Sequence, residues 1–236
     1  MNAIKFTDFK GLLKSNDLVI KAIENPYDDY YLIHISKPEN LNWTAGEHGI
    51  VTLPRIKTKG QTMRPLSVAS IPSENEVLLG TRTGKEASEF KKTLINLKKG
   101  ETLKMRGPFG IFKFQDESSP VVLFASGVGI TPIRAMLKSL SKSNSRPVHL
   151  VYVANGYHLF DDELLELSQS LNNFYYHKLN HSQEAIDLMT KLAREFGNKA
   201  YYFNSGAPKV LESMKEDLMA NGIHKRRIIH DAFNGY

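Results

Sequence analysis

Arg64 and the hydroxyls of Ser67 and Ser70 fall within one strand-like run, Arg64-Pro65-Leu66-Ser67-Val68-Ala69-Ser70. A guanidinium offers a planar fork to phosphate oxygens, and a serine hydroxyl donates to or accepts from a ring nitrogen. Further on, Ser126-Gly127-Val128-Gly129 joins an apolar run at 121–125 to a helical pattern that holds Thr131 and Pro132. Glycines there let the backbone approach a pyrophosphate, whose charge a helix N-terminus stabilises. Pro132 suits a first helical position, where its missing N–H is not needed. The turn is not the G-x-G-x-x-G fingerprint, because Pro132 stands where the third glycine belongs. The next strand also ends in Tyr152-Val153-Ala154-Asn155 with no acid, which disfavours a plain Rossmann dehydrogenase. Taken singly, an edge strand with an exposed arginine and a tight turn without a ligand compete with these readings. In this order, the two segments point to two nucleotide cofactors held by successive domains.

The elements that must position them differ in kind. Residues 17–23, 30–35, 49–53, 77–82 and 102–106 are short, β-branched or aromatic runs broken by Pro or Gly. With one helix at about 87–97, they predict a small antiparallel β-barrel over residues 1–116. After Asp116-Glu117-Ser118-Ser119-Pro120 the rhythm changes. Strands at 121–125, 148–154, 174–177, 200–203 and 227–230 alternate with helices at 132–140, 161–171, 183–196 and 208–221. That alternation predicts an α/β domain with a doubly wound parallel sheet over 117–236.

Composition removes several chemistries. The 236 residues contain no cysteine, which excludes disulfides, a thiolate nucleophile and cysteine-ligated zinc or iron–sulfur centres. Of the eight histidines, His177 and His181 have an i, i+4 spacing, but on a strand-like run that spacing gives no shared face, so no metal site is expected. No apolar run approaches the roughly 18 residues that span a bilayer, and no secretory pattern opens the chain, so a cytoplasmic protein without membrane insertion is expected. The net charge of +6 divides as +5 over 1–116 and +1 over 117–236. Nothing resembles a nucleic-acid module, so nucleic acid is not an expected partner.

R-x-Y-S-x-x-S corresponds to Arg64–Ser70, and G-x-G-x-T-P to Gly127–Pro132. Arg106-Gly107-Pro108-Phe109-Gly110 is similar to a G-P-x-G element, and Gly84-Lys85-Glu86-Ala87-Ser88 to a second pyrophosphate contact. Ser205-Gly206-Ala207-Pro208 stands where C-G-x-P is usual, and Arg227-Ile228-Ile229-His230-Asp231-Ala232-Phe233 is similar to a closing R-I-h-x-E-x-F. Through these, across essentially the whole chain, it resembles the ferredoxin–NADP(+) reductase family of flavoproteins. The resemblance implies FAD, with FMN the lesser alternative, in the barrel and NADH or NADPH in the α/β domain. It implies that Arg64, with Pro65 and Leu66 beside it, holds the flavin pyrophosphate. Ser67 would bond the ring near N5, Ser70 would support the strand, and Gly84, Ala87 and Ser88 would cap the pyrophosphate. Gly127, Gly129, Thr131, Pro132 and Gly206 would seat the nicotinamide nucleotide. Ser67, Ser205 and Asp231 would surround the hydride transfer, and Phe233 or Tyr236 would cover a ring face. The activity implied is hydride transfer from nicotinamide C4 to flavin N5, then electron delivery to a separate acceptor.

Three departures matter. Leu66 replaces a stacking tyrosine, which predicts weaker flavin retention. Ser205 replaces a cysteine, which predicts slower hydride transfer. Asp231 replaces a glutamate, and a solvated terminal carboxylate is its competing reading. No arginine follows the strand at 148–154, and Lys178, Asn180 and His181 make a thin clamp for a 2′-phosphate, which leans the reading to NADH. Lys57, Lys59, Lys85, Lys91 and Lys92 suit an acidic carrier such as a ferredoxin or flavodoxin. Solvated lysines, and a flavin, quinone or ferric chelate as acceptor, compete with that reading. A complex-dependent electron-transfer subunit and a non-flavin dehydrogenase are the rival classes.

Overall fold

Alternation is strict at the start of the first long strand, where Leu18 and Ile20 point into a core while Asp17, Val19 and Lys21 face water. The structure, a computed structural model, describes residues 11–53 and 62–231. The chain divides into two units at Lys113/Phe114.

The first unit holds strands β1 (Ser15–Tyr27), β2 (Tyr30–Ser36), β3 (His48–Thr52), β4 (Met63–Ser67), β5 (Glu76–Arg82) and β6 (Thr102–Phe109), with helix α1 (Glu89–Ile95) between the last two. They form an antiparallel sheet in the order β4-β3-β6-β1-β2-β5. The end strands β4 and β5 meet at one bridge, Val68↔Leu79, which closes the sheet into the expected barrel. Pro65 is tolerated in β4 because that strand ends the order, where a missing N–H breaks no ladder. Inside, Leu18, Ile33, Val51, Leu79, Leu103 and Met105 pack with Phe90 and Leu94, the i, i+4 pair by which α1 grips the barrel.

The second unit is a parallel sheet of β7 (Val121–Ser126), β8 (Val148–Val153), β9 (Phe174–Leu179), β10 (Tyr201–Ser205) and β11 (Ile228–His230), in the order β11-β10-β7-β8-β9. Its helices are α2 (Ile130–Lys138), α3 (Asp161–Ser170), α4 (Ser182–Phe196) and α5 (Pro208–Ala220). β7 is buried on both faces until its last residue, as a central parallel strand must be. α4 buries Ala185, Met189, Leu192 and Ala193, an i, i+4, i+7, i+8 stripe against the sheet. The segment entering this unit is tied down: Arg146 donates to the Asp116 carbonyl and lies 4.3 Å over the Phe114 ring. Phe114 in turn meets Phe203 edge-on. Among the described residues, no helix is long and apolar enough to cross a membrane.

The helix after β7 begins earlier than its proline suggests. A 3-10 turn at Gly127–Gly129 runs directly into α2, so Pro132 is the third residue of that helix and not the first. No hydrogen bond is sacrificed, because the first four N–H groups of a helix have no partner within it.

Candidate functional site

In the first unit, the residues of interest lie along β4, on both of its faces. Arg64 stands across from Val51 and Leu66 across from Gly49, on the face that turns toward the barrel core, against which Leu66 packs. Ser67 lies on the other face, fully buried and directly across from His48. His48 is held at 4.6 Å against the Phe109 ring, and burial lowers its imidazole pKa, favouring the neutral form.

Near Lys91 are two cations, Arg64 and Arg82, that the sequence alone does not connect to it. Burial, and then the Arg64 charge, pull the Lys91 ammonium below the usual lysine range; Asp29 works the other way and Arg82 adds to the repulsion. Arg82 donates to Asp29 at 2.9 Å and lies 4.4 Å over the Tyr30 ring. The second Asp29 oxygen takes the Gly84 amide, also at 2.9 Å, at a left-handed turn with φ +68° that glycine accommodates. Ser88 caps α1, its hydroxyl accepting from the Lys91 amide, and Ala87 is half-buried beside it.

Ser70 supports the strand and makes its hydrogen bonds to backbone. Its buried hydroxyl donates to Glu76 O at 2.7 Å and accepts from Leu78 N at 2.9 Å, so it ties β5 to the end of the flavin-type motif.

In the second unit, the strand order decides where the motifs meet. β7 and β10 are neighbours although β8, β9 and three helices separate them in the chain, and the order reverses between them. In an open parallel sheet, that crevice at the carboxyl ends of the strands is where ligands bind. Ser126-Gly127 leaves β7 there and Ser205-Gly206 leaves β10, with Ala125 paired to Ser205. Gly127 has φ +55°. A Cβ on Gly129 would press into the Ser205 carbonyl and stand 2.7 Å from the Gly206 amide nitrogen. A Cβ on Gly206 would in turn meet the Ser126 side chain at 2.9 Å. These two glycines are therefore required by the approach of two backbone turns to each other. Thr131 donates to Val128 O at 3.1 Å and is buried, so its side chain closes the turn.

Asp231 follows β11, and its amide donates to Asn204 O. Its carboxylate accepts from Ser205 Oγ at 3.2 Å and is only 2% exposed, with Ser205 at 0%. The reading of Asp231 as a solvated terminal carboxylate is corrected by this burial. Arg227 sits 4.3 Å over the Tyr201 ring and helps hold β11 beside β10.

At the outer strands, Asp161 opens α3 and accepts from Lys178 Nζ at 2.6 Å and Tyr176 OH at 2.8 Å. Burial works against its ionised form, but these hydrogen bonds hold the carboxyl below the usual range. Asp161 and Asp162 lie near Tyr157, whose phenol is pushed up, first by burial and then by both acids. On the sheet face toward α4, His149 stacks on Tyr175 and lies 3.2 Å from His177; burial, then the His177 charge, bring its pKa down to about 4. Among the described residues, no group of three or more His, Asp or Glu side chains could hold a metal.

No protein-family model matches the chain. A flavohemoprotein of Burkholderia sp. (strain TH2) is 34% identical over 126 residues, 51% of this chain and 31% of that protein. The toluate 1,2-dioxygenase electron transfer component of Pseudomonas putida is 25% identical over 209 residues, 84% of this chain and 61% of that protein. A ferredoxin NADP+ reductase from Neisseria gonorrhoeae, solved with bound FAD and NADP, matches with a TM-score of 0.77 at 16% identity, over 92% of this chain and 98% of that one. These similar proteins are ferredoxin–NADP(+) reductase-like FAD/NAD-binding reductases, and the chain has their two-domain fold. It spans about 31% to 61% of the length of these curated relatives.

Phe233 and Tyr236, expected to cover a ring face, lie outside the described residues, as do Lys57 and Lys59. Lys85 and Lys92 are exposed, whereas Lys91 is half-buried among the cations described above, so it belongs to that corner and not to an outward basic face. Lys91, Arg82, Asp29 and Asp161 are the residues whose roles the sequence does not disclose. Their positions in the chain carry no local motif, and only the fold pairs Arg82 with Asp29, Asp161 with Lys178, and sets Lys91 within reach of the Arg64 charge.

Proposed function

We propose that the chain is a flavin-dependent NAD(P)H oxidoreductase that delivers electrons to a separate acceptor, with FAD in the barrel unit and the nicotinamide nucleotide in the α/β unit. The observation that carries this reading is the pairing of a cation corner beside β4 with a glycine-lined crevice at the β7/β10 switch point. Both suit phosphorylated cofactors: the first supplies charge, and the second sets the turn that opens α2 beside the turn after β10 at the switch point. When bound, the two cofactors supply hydride transfer between nicotinamide C4 and flavin N5. The chain's own residues bind and orient them. Arg64 holds the flavin pyrophosphate, with Gly84, Ala87 and Ser88 near it, and Pro65 and Leu66 line the strand. Ser67 offers a hydroxyl to the flavin ring. Gly127, Gly129 and Gly206 shape the nucleotide crevice, and Thr131 and Pro132 stabilise its helix. Ser205, whose proton points to Asp231, presents oxygen lone pairs beside the nicotinamide position.

NADH is the favoured donor. Lys178, the nearest candidate to meet a 2′-phosphate, is ion-paired to Asp161, and Asn155 stands where an arginine would serve. A protein acceptor is favoured because relatives are named an electron transfer component and a reductase component. Lys85 is exposed and Lys92 is paired with Glu89, so the basic surface left for an acidic carrier is slight. Purified protein supplied with FAD should reduce ferricyanide or a dye in an NADH-dependent manner. Absence of that activity with both NADH and NADPH would reject the reading.

A further inference from the structure

Asn-Gly occurs three times in the chain, at Asn155-Gly156, Asn221-Gly222 and Asn234-Gly235, the last outside the described residues. An asparagine before glycine is open to an intramolecular reaction, because no side chain on the next residue shields its backbone nitrogen. The two described pairs differ in whether that reaction has room. Asn221 caps the end of α5, its side-chain amide donating to Asp217 O at 2.9 Å, and the Gly222 N–H donates to Met219 O at 3.0 Å. Both reacting groups are held there. Asn155 and Gly156 are exposed, and among the described residues neither takes part in a hydrogen bond. Gly156 has φ +82° and open space where a Cβ would stand.

Asn155 also stands at a sensitive place. Ala154 N donates to Leu179 O at 3.1 Å, so Asn155 is the first residue beyond the β8/β9 ladder. β8 lies beside β7, whose carboxyl end carries the Gly127–Gly129 turn. In dinucleotide folds, an acid after the second strand hydrogen-bonds the ribose 2′-OH and so disfavours a 2′-phosphate. This chain has an uncharged amide there.

We propose that Asn155 is a spontaneous deamidation site, and that loss of its amide supplies the missing acid and restricts the hydride donor to NADH. The Gly156 backbone nitrogen attacks the Asn155 side-chain carbonyl carbon. A C–N bond closes a succinimide ring, and the amide leaves as ammonia, carrying the proton that the Gly156 nitrogen gives up. Water then opens the ring at either carbonyl, giving aspartate or isoaspartate, with no oxidant or reductant needed. The effect on the donor rests on the nucleotide reading above, whereas the reaction itself does not.

The test follows the full chain, supplied with FAD, through incubation at mildly alkaline pH. Peptides holding Asn155 and Asn221 are compared by mass, and wild type, Asn155→Asp and Asn155→Gln are assayed with NADH and NADPH before and after. Conversion at Asn155 should run about tenfold faster than at Asn221, whose hydrogen bonds must first break. In Asn155→Asp, KM for NADPH should rise roughly fivefold relative to that for NADH, the scale of one exposed charge–charge interaction. Incubated wild type should move the same way. Asn155→Gln, whose longer side chain closes its ring far more slowly, should keep its own initial donor ratio. Equal conversion at Asn155 and Asn221 would overturn the site. An Asn155→Asp donor ratio equal to wild type would overturn the effect on the donor. A wild-type chain that oxidises neither nucleotide would overturn the nucleotide reading, a failure distinct from the mass result.

Discussion

The corner beside β4 and the crevice between β7 and β10 are both suited to phosphate, yet they are built from opposite materials. The first uses side-chain charge: Arg82 from β5 pairs with Asp29, and Lys91 from α1 feels the charges of Arg64, Arg82 and Asp29. The second uses the absence of side chains: Gly129 and Gly206 let two turns from adjacent strands touch backbone to backbone. A charge-built site tolerates exchange of one cation for another, because Coulomb attraction is long-ranged and soft. A proximity-built site tolerates no added atom, because repulsion at contact is steep. The difference predicts which substitutions each unit will accept.

The largest effect is expected at the proximity-built site. Gly129→Ala should destabilise the second unit by about 2 kcal/mol or more, since the new methyl would meet backbone that cannot rotate away. Gly84→Ala in the first unit has open space around its Cβ and should cost only about 1 kcal/mol, from its positive φ. Denaturant unfolding followed on each unit separates the two, and equal losses would erase the contrast.

Next in size is the buried pair Ser205–Asp231. Asp231→Ala leaves the Ser205 hydroxyl without its carboxylate in a buried place, and hydride transfer should slow by about tenfold. Ser205→Cys should speed it, because the larger, more polarizable sulfur packs better against a ring. Stopped-flow flavin reduction reads both, and an unchanged rate in Ser205→Cys would remove Ser205 from the reaction.

A smaller effect is expected where charge governs the nucleotide end. Asp161→Asn breaks the ion pair with Lys178 and should narrow the preference for NADH over NADPH by several-fold, through KM for NADPH. Steady-state kinetics with both donors test it; an unmoved ratio would place the 2′ end of the nucleotide elsewhere.

The smallest effect is on stability. His149 has a folded pKa of about 4, well below its unfolded value, so the unfolded chain binds more protons as pH falls from about 6.5 through 4. Stability should therefore be lost over that window, by a few degrees in Tm attributable to His149. His149→Phe should flatten the decline, and a profile identical to wild type would assign acid lability to other groups.

Much of this organisation is legible in the sequence where the signal is local. The barrel strands alternate, the parallel strands are continuous apolar runs, and the helix stripes repeat at i, i+4, i+7, as at Ala185, Met189 and Leu192. The start of α2 precedes its expected position because Pro132 is a strong helix-opening signal, and a preceding 3-10 turn has no residue signature of its own. β1 runs to Tyr27, beyond the expected 23, because its exposed end pairs with β2 through register shifts that hide the alternation. Gly129 reads in the sequence as room for a ligand, whereas its nearest neighbour is the Ser205 backbone. The cation corner is invisible for a different reason. Arg64, Arg82 and Lys91 carry no shared spacing, and only the antiparallel register and the packing of α1 bring them together.

Whether the two sites hold a flavin and its hydride donor is addressed most directly by one anaerobic absorbance experiment on the FAD-supplied protein. Oxidised-flavin bands should travel with the protein and bleach on addition of NADH, more slowly with NADPH. A protein that stays colourless with FAD, or flavin bands that neither nucleotide bleaches, would contradict that assignment.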